Sequence, residues 1–228
     1  MPTVLITGAN RGLGLEFARQ YARDGWQVIA CCRDPEQAFD LRDLPKGVEL
    51  HRLDLSDSGQ IAALAGHLQD RSLDLLIHSA NHRLPNRRQI FGALDFKGMS
   101  GAWNVNIVGG LRLLEALSPV LNRSLEPRVV LISSGLGSIA NNDAGGWIVN
   151  RMVKAATNMA VKTLSIDWSG GGAIFVALAP GWVRTDEDHA NAPLSPRRSV
   201  KSMRAVIDHL TAEHSGKFLD FDGTPLPW

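Results

Sequence analysis

Short apolar runs recur along the chain, and their apolar residues are contiguous rather than alternating. They are rich in Val, Ile and Leu and cover residues 3–6, 27–32, 73–77, 128–132 and 174–178. Runs of this length and composition predict strands that are buried on both faces, as in a parallel sheet.

Stretches with a helical spacing of apolar positions separate these runs, at residues 13–24, 59–69, 101–121, 152–169 and 200–214. This alternation predicts an α/β fold in a single domain over residues 1–228, with a doubly wound parallel sheet and helices on both faces. Segment 185–196 is polar and contains two prolines. It follows a late strand, where such sheets bind ligands, so we expect it to cover the substrate.

The overall composition excludes several classes of function. The 228 residues carry a formal net charge of +1, with 44% hydrophobic and 21% charged residues, which is typical of soluble globular proteins. A net charge so close to zero argues against nucleic-acid binding along the whole chain. No apolar run in the sequence is long enough to cross a membrane. Cys31 and Cys32 are adjacent, and no Cys/His cluster predicts a metal site. Two such thiols without a secretion signal indicate a cytoplasmic protein.

A glycine-rich segment lies between the first predicted strand and the first predicted helix. Glycines at this junction permit a tight turn and a close approach of the backbone to a pyrophosphate. The N–H groups at the start of the helix then face the phosphate. The candidate cofactor-binding residues in this segment are Gly8, Asn10, Arg11, Gly12, Leu13 and Gly14.

The residues after the second run, and after a further short run that ends at Leu53, bear on the choice of cofactor. Arg33 follows the second run, where an acidic side chain would favour NAD. A guanidinium there attracts a 2′-phosphate instead, and Arg11 adds a second positive charge, so we expect NADP(H) rather than NAD(H). Two roles fit Asp54: it accepts a hydrogen bond from the adenine amino group, or it caps the helix that starts near Ser56.

With these residues in place, the chain resembles the short-chain dehydrogenase/reductase family, and more closely its small carbonyl-reductase branch. The T-G-x-x-x-G-x-G spacing matches at Thr7 to Gly14, and the C-terminal D-G-T-P-L segment resembles that branch. The resemblance covers essentially the whole chain and implies a Rossmann-type fold. Further matching residues are Asn106, Ser138, Lys154, Pro180, Gly181, Val183 and Thr185.

The resemblance also implies roles for these residues. Ser138 holds the substrate oxygen, Lys154 binds the nicotinamide ribose, and Asn106 supports a proton relay. The segment from Pro180 to Thr185 meets the nicotinamide carboxamide. The helices at 101–121 and 152–169 resemble those that pair across subunits in the family, which implies a homodimer or homotetramer.

Two departures from the family pattern change the expected chemistry. The family's tyrosine, four residues before the lysine, is replaced by Asn150, and Val153 replaces the usual small residue. In the family's N-N-A-G segment only Ala80 is kept, and the glycine is lost. We expect Ala80 to contact the cofactor and Asn150 to occupy the catalytic position.

An asparagine donates a hydrogen bond but gives up no proton near neutral pH. General acid catalysis contributes about 10²–10⁴-fold, so we expect ordinary ketone reduction to be slowed by a similar factor. His78 and His82 follow the fourth strand and are the candidates for a replacement acid.

Three functions remain open at this point. The first is a reductase for an iminium carbon or a conjugated alkene, which accepts hydride without strong protonation at oxygen. The second is a non-redox enzyme for dehydration, isomerisation or cyclisation. The third is a non-catalytic NADP(H)-binding regulator. In the first two functions the partner is a small-molecule substrate.

Overall fold

Seven parallel strands form the centre of the fold. The computed structural model describes residues 1–44, 47–168, 172–185 and 190–228. The strands are β1 (Thr3–Thr7), β2 (Gln27–Cys32), β3 (Val48–Arg52), β4 (Leu75–His78), β5 (Arg128–Ile132), β6 (Ile174–Leu178) and β7 (Lys217–Leu219). They lie in the order β3-β2-β1-β4-β5-β6-β7, and every neighbouring pair is parallel.

The strand predictions agree with the structure where burial is complete. The bounds of β2, β5 and β6 are those predicted, because these central strands are almost wholly apolar. Of the two remaining strands, β3 was marked only by the short run that ends at Leu53, and β7 was missed. Strand β3 is an edge strand with mostly half-buried residues, and β7 has only three residues, so neither has a long apolar run.

Helices cover both faces of the sheet, as predicted. Within the described residues they are α1 (Gly12–Arg23), α2 (Phe39–Arg42), α3 (Ser58–Leu68), α4 (Phe96–Trp103), α5 (Gly109–Leu121), α6 (Ile148–Asp167) and α7 (Pro196–Asp208). A π-helical turn, Asn104–Val108, joins α4 to α5. Two large apolar clusters lie between the sheet and its helices. In one, α1 and α7 pack on one face of the sheet; in the other, α3, α5 and α6 pack on the opposite face.

The observed helix ends follow from capping residues. Helix α3 begins where the Asp57 carboxylate accepts hydrogen bonds from the N–H groups of Gly59 and Gln60. Helix α7 starts four residues earlier than predicted, because Ser195 caps it and Pro196 occupies its first position. The proposed substrate-covering segment 185–196 therefore ends at this helix. Its residues 186–189 lie outside the described residues.

The strand order places a crevice at the carboxyl ends of β1 and β4. After β3 the chain crosses to the other side of β1 and continues as β4. Ligands bind in sheets of this kind where the connections diverge. Thr7 and His78 end these two strands in register. Among the described helices, none combines the length and apolar character that a membrane span requires.

Candidate active site

The turn after β1 requires glycine at three positions. Gly8 and Gly12 have φ angles of +66° and +56°, in the left-handed region. Gly14 has an ordinary helical backbone, but a Cβ there would overlap the carbonyl oxygen of Gly8. The predicted phosphate-binding segment therefore forms a tight turn. Its backbone angles require glycine at positions 8 and 12, and the close contact between Gly14 and Gly8 requires it at position 14.

The N-terminus of α1 is free to receive an anion. Arg11 is the N-cap residue, has an extended backbone and makes no capping hydrogen bond through its side chain. The first turn contains no acidic residue. Its N–H groups and the helix dipole therefore favour a phosphate group. Asn10 and Arg11 are exposed, whereas Leu13 packs partly into the core.

The segment after β6 approaches this turn from the opposite side of the crevice. A Cβ built at Gly12 would lie 3.8 Å from Cγ2 of Thr185. Gly181 has a φ of +73°, and a Cβ there would lie 2.7 Å from a methyl group of Leu194. Val183 pairs with Leu194 as an isolated bridge. The predicted phosphate and carboxamide segments are thus neighbours in space.

The start of the segment is held by α7. The hydroxyl of Ser199 donates a hydrogen bond to the carbonyl oxygen of Pro180 at 2.6 Å. Because Ser199 is fully buried, this bond anchors the backbone that leads from Pro180 to Thr185.

Charged side chains of both signs lie at the ends of β2 and β3, where Arg52 is within 4.0 Å of Asp34 and Glu36. Arg33 is exposed, and Nη1 of Arg52 donates to its carbonyl oxygen at 3.2 Å. The carboxylate of Asp54 accepts hydrogen bonds from the hydroxyl and N–H of Ser56, at 2.6 and 2.9 Å. These bonds, with the charge of Arg33, lower the pKa of Asp54 despite its partial burial. Since Asp57 caps α3, the helix-cap interpretation of Asp54 is wrong; its contact with adenine stays a prediction.

His78 lies beneath the crevice. Its Nδ1 is 3.1 Å from the hydroxyl oxygen of Thr7, which also accepts a hydrogen bond from the N–H of Ala80 at 3.0 Å. Nε2 is buried without a hydrogen-bond partner and faces Gly110 on α5, where a Cβ would lie 3.1 Å away. Burial, and to a lesser extent the charge of Lys154, lowers the pKa of His78 to about 4. The imidazole is therefore neutral near pH 7.

The backbone of Ala80 closes on the glycine turn. A Cβ at Gly8 would lie 2.7 Å from Cα of Ala80. The two loops are therefore in close contact, and the contact of Ala80 with the cofactor stays a prediction.

Asn106 holds the backbone of His82 through both ends of its carboxamide. Oδ1 accepts from the N–H of His82 at 2.8 Å, and Nδ2 donates to the carbonyl oxygen of His82 at 2.9 Å. Asn106 is buried in the π-helical turn, whereas the side chain of His82 is exposed. The π-helical turn, a feature frequent at functional sites, thus positions the loop after β4.

The segment after β5 is fixed against α6 by Asn158. Its Oδ1 accepts a hydrogen bond from the hydroxyl of Ser133 at 2.6 Å, and its Nδ2 donates to the carbonyl oxygen of Gly137 at 3.2 Å. Ser138 follows directly and is 2% exposed. Its hydroxyl oxygen accepts from the N–H of Asn141 at 3.1 Å and lies 3.5 Å from the carbonyl oxygen of Trp228.

Asn150 lies in the first turn of α6 and is 8% exposed. Its backbone N–H donates to Oε1 of Gln89 at 3.0 Å, while Nδ2 of its own side chain is buried without a hydrogen-bond partner. Trp147 is the N-cap residue, and its φ of +51° is the only positive value among the described non-glycine residues. A bulky residue in this region stores backbone strain, which is common at functional sites.

Lys154 lies one turn beyond Asn150 on the same face of α6. Its Nζ donates to the carbonyl oxygen of Ile132 at 2.9 Å. Burial lowers the pKa of Lys154 from its ordinary 10.5 to about 8. A Cβ at Gly137 would lie 3.0 Å from the backbone of Lys154. The structure therefore brings the segment of Ser138 against the helix that carries Asn150 and Lys154.

Three residues of this region have no signal in the sequence pattern. Gln89 is wholly buried, and its Nε2 donates to the carbonyl oxygen of Leu84 at 2.6 Å. Arg52 lies beside Arg33, and the carbonyl of Trp228 accepts from the N–H of Ala140 at 2.9 Å. The hydrogen bonds between Gln89 and Asn150, Arg52 and Arg33, and Trp228 and Ala140 join positions far apart in the sequence, so local spacing does not reveal them.

Comparisons with known proteins agree with the geometry. The family model for short chain dehydrogenase matches residues 2–193. C-signal of Myxococcus xanthus is 39% identical over 166 residues, which are 73% of this chain and 99% of that protein. The solved structure of the carbonyl reductase Sniffer of D. melanogaster has a TM-score of 0.93, with 30% identity over 100% of both chains.

A third comparison concerns a structure that contains a cofactor. The NADPH-bound carbonyl reductase from chicken fatty liver has a TM-score of 0.88 and 29% identity, covering 100% of this chain and 99% of that one. The family match spans most of the residues, and the similarity in fold extends over the whole chain. On this evidence, the protein belongs to the short-chain dehydrogenase family.

Proposed function

We propose that this protein is an NADP(H)-dependent oxidoreductase whose site offers the substrate a hydrogen bond where most of its family offers a proton. The observation that carries the proposal is the buried, unpartnered Nδ2 of Asn150. Leaving a buried donor unpaired costs about 1–3 kcal/mol. Rotation of the carboxamide toward the crevice would let a substrate oxygen satisfy this donor.

The residues at the crevice fit a dinucleotide. The uncapped N-terminus of α1 suits a pyrophosphate, and the exposed Arg33 and Arg11 suit a 2′-phosphate. Lys154 would bind the nicotinamide ribose, and the segment from Pro180 to Thr185 would bind the carboxamide. When bound, the reduced cofactor supplies a hydride. The NADPH found in the chicken carbonyl reductase supports this choice of cofactor.

The residues around Asn150 then define the substrate class. In an enone, Asn150 and Ser138 would hold the carbonyl oxygen by hydrogen bonds, and neither is an acid strong enough to protonate an alkoxide. An iminium carbon or a conjugated alkene tolerates this, because the product of hydride addition is a neutral amine or a stabilised enolate. We therefore place the substrate among iminium or enone compounds, with segment 185–196 covering it.

Of the two histidines, His82 is the better candidate for a supplementary acid. Its side chain is exposed, and Asn106 holds its backbone beside the crevice. His78 is neutral at physiological pH, with its Nε2 against Gly110. A buried neutral imidazole is a poor source of protons, so we assign His78 a supporting role beneath the site.

A second candidate function is a non-catalytic NADP(H)-binding regulator. The 39% sequence identity with the protein named C-signal favours a regulator. The absence of a tyrosine at position 150 favours it too. Non-redox chemistry on the same scaffold needs the same residues but leaves the cofactor unchanged.

The test follows the absorbance of NADPH with cyclic iminium compounds, enones and ketones as substrates. We expect turnover of an iminium compound or an enone, and ketone reduction about 10²–10⁴-fold slower than in a tyrosine-bearing relative. Ketone reduction as fast as in that relative would contradict the proposal. Tight NADPH binding without any oxidation would favour the regulator instead.

A homodimer is the assembly that the surface favours. Met152, Met159 and Ile166 are exposed and spaced seven residues apart on α6, which places them in one stripe along the helix. Trp103 and Leu111, on α4 and α5, are also exposed. Exposed apolar stripes of this kind mark protein interfaces. We propose that α5 and α6 pair with those of a second subunit.

A further inference from the structure

A cluster of three metal-binding side chains lies at the edge of the sheet, away from the glycine turn and Asn150. Glu49 and His51 are two residues apart on β3, so their side chains project from the same face. His67 lies in the last turn of α3. One donor atom from each of these residues lies within 4.8 Å of the others, and the two imidazole rings have centroids 4.8 Å apart.

We propose that Glu49, His51 and His67 form a binding site for a divalent metal ion of the zinc class. Two imidazoles and one carboxylate are a common protein ligand set for Zn²⁺, with water in the fourth position. Zinc–ligand bonds of about 2.0–2.2 Å in a tetrahedron separate the donor atoms by roughly 3.3–3.6 Å. Nε2 of His51 and Oε2 of Glu49 are already 3.6 Å apart.

Only a small adjustment of His67 completes this geometry. Its side chain is exposed at the end of α3, so it can rotate without disturbing the core.

Arg71 adjoins the cluster and gives the proposal a specific signature. Its Nη1 donates to Oε2 of Glu49 at 2.7 Å. This bond orients the carboxylate and leaves the second lone pair of Oε2 for the metal, but the positive guanidinium also repels a cation. Replacing Arg71 with glutamine removes the charge, so R71Q is expected to bind the metal more tightly than the wild type.

The experiment is a calorimetric titration of chelator-treated protein with Zn²⁺ alone. We expect binding of one ion per chain. Loss of a group that merely supports a ligand weakens affinity about 10- to 100-fold, so H67Q and H51Q are each expected to lose at least that much. The matched control is H209Q, since His209 is exposed at the C-terminal end of α7, lies outside the cluster and contacts the carbonyl oxygen of Ala205 through Nδ1.

Co²⁺ provides an independent readout that a folding defect would not imitate. The wild type should develop the visible absorption of a tetrahedral site, and H67Q should lack it while keeping the wild-type circular dichroism. Wild-type affinity in H67Q, an equal loss in H209Q, or weaker binding in R71Q would each overturn the proposal. Because these measurements use neither NADPH nor substrate, their failure leaves the proposed redox function untouched.

Discussion

The buried side chain of Gln89 caps the helix that carries Asn150. Its Oε1 accepts a hydrogen bond from the backbone N–H of Asn150 at 3.0 Å, across 61 positions of sequence. Trp147, the N-cap residue of that helix, makes no capping hydrogen bond with its own side chain. A residue from the loop after β4 therefore does the work that a Ser or Asp usually does at this position.

Replacing Gln89 with leucine should destabilise the protein. The substitution leaves the N–H of Asn150 and the carbonyl of Leu84 without partners inside the protein, and each buried unsatisfied group costs about 1–3 kcal/mol. We expect the free energy of unfolding in urea to fall by at least about 2 kcal/mol. The exposed Gln37→Leu variant is the control, and an equal loss in both variants would contradict the capping role.

Replacing Asn150 with tyrosine should create ketone reductase activity. If Ser138 and Lys154 are competent, restoring a proton donor should raise kcat/KM for ketones by about 10²–10⁴-fold. The matched control is Asn150→Phe, which has the same ring without the hydroxyl. Equal rates for the two variants would show that proton delivery is not what limits the wild type, and would direct attention to the altered loop after β4.

Removing the guanidinium of Arg33 should weaken NADPH binding selectively. A hydrogen bond to a charged group contributes about 1.5–3 kcal/mol, so Arg33→Ala should raise the Kd for NADPH by roughly 10- to 100-fold. The Kd for NADH should change little, because NADH has no 2′-phosphate. Fluorescence titration measures both constants, with Arg23→Ala as the control; equal losses for the two cofactors would refute the assignment.

Lys154 should make stability depend on pH in alkaline solution. Its pKa is 10.5 in an ordinary environment and about 8 in the folded protein, so between these values the unfolded chain binds more protons. The contribution of Lys154 to the free energy of unfolding therefore rises as pH increases from about 8 to 10.5. Below that range the folded state carries the full cost of the buried charge.

The variant Lys154→Met isolates this contribution. Burial raises the pKa values of Cys31 and Tyr21 above their ordinary values, and these groups titrate with the opposite sign, so stability falls as their unfolded forms ionise. The wild type and the Lys154→Met variant share this effect of Cys31 and Tyr21, so it cancels in their difference. Urea unfolding at several pH values should show the wild type gaining stability relative to the variant through this window, and a constant difference would disprove the assignment.

Introducing charge at Met159 should dissociate the proposed dimer. Met159 is 66% exposed in the single chain, and Met159→Glu would bury an unpaired carboxylate in the interface. Such a charge costs about 3–5 kcal/mol, which corresponds to at least about a 100-fold rise in the dimer Kd. Light scattering during gel filtration measures the mass, and the control is Glu213→Lys, an exposed position outside α4, α5 and α6.

The local sequence determined the framework of this protein. The central strands β2, β5 and β6 were predicted with their observed bounds, because a strand buried on both faces must be apolar at nearly every position. The glycine turn was equally predictable, since Gly8 and Gly12 adopt φ angles that other residues avoid and Gly14 admits no Cβ. These constraints act within a few residues and are visible in the pattern.

The partners of the site were decided only by the tertiary structure. Gln89 reaches Asn150, Asn106 holds His82, and Asp57 rather than Asp54 caps α3. The cluster of Glu49, His51 and His67 likewise forms only when α3 packs beside β3. A hydrogen bond or ligand set between distant segments depends on how close packing brings them together, and no local spacing encodes that distance.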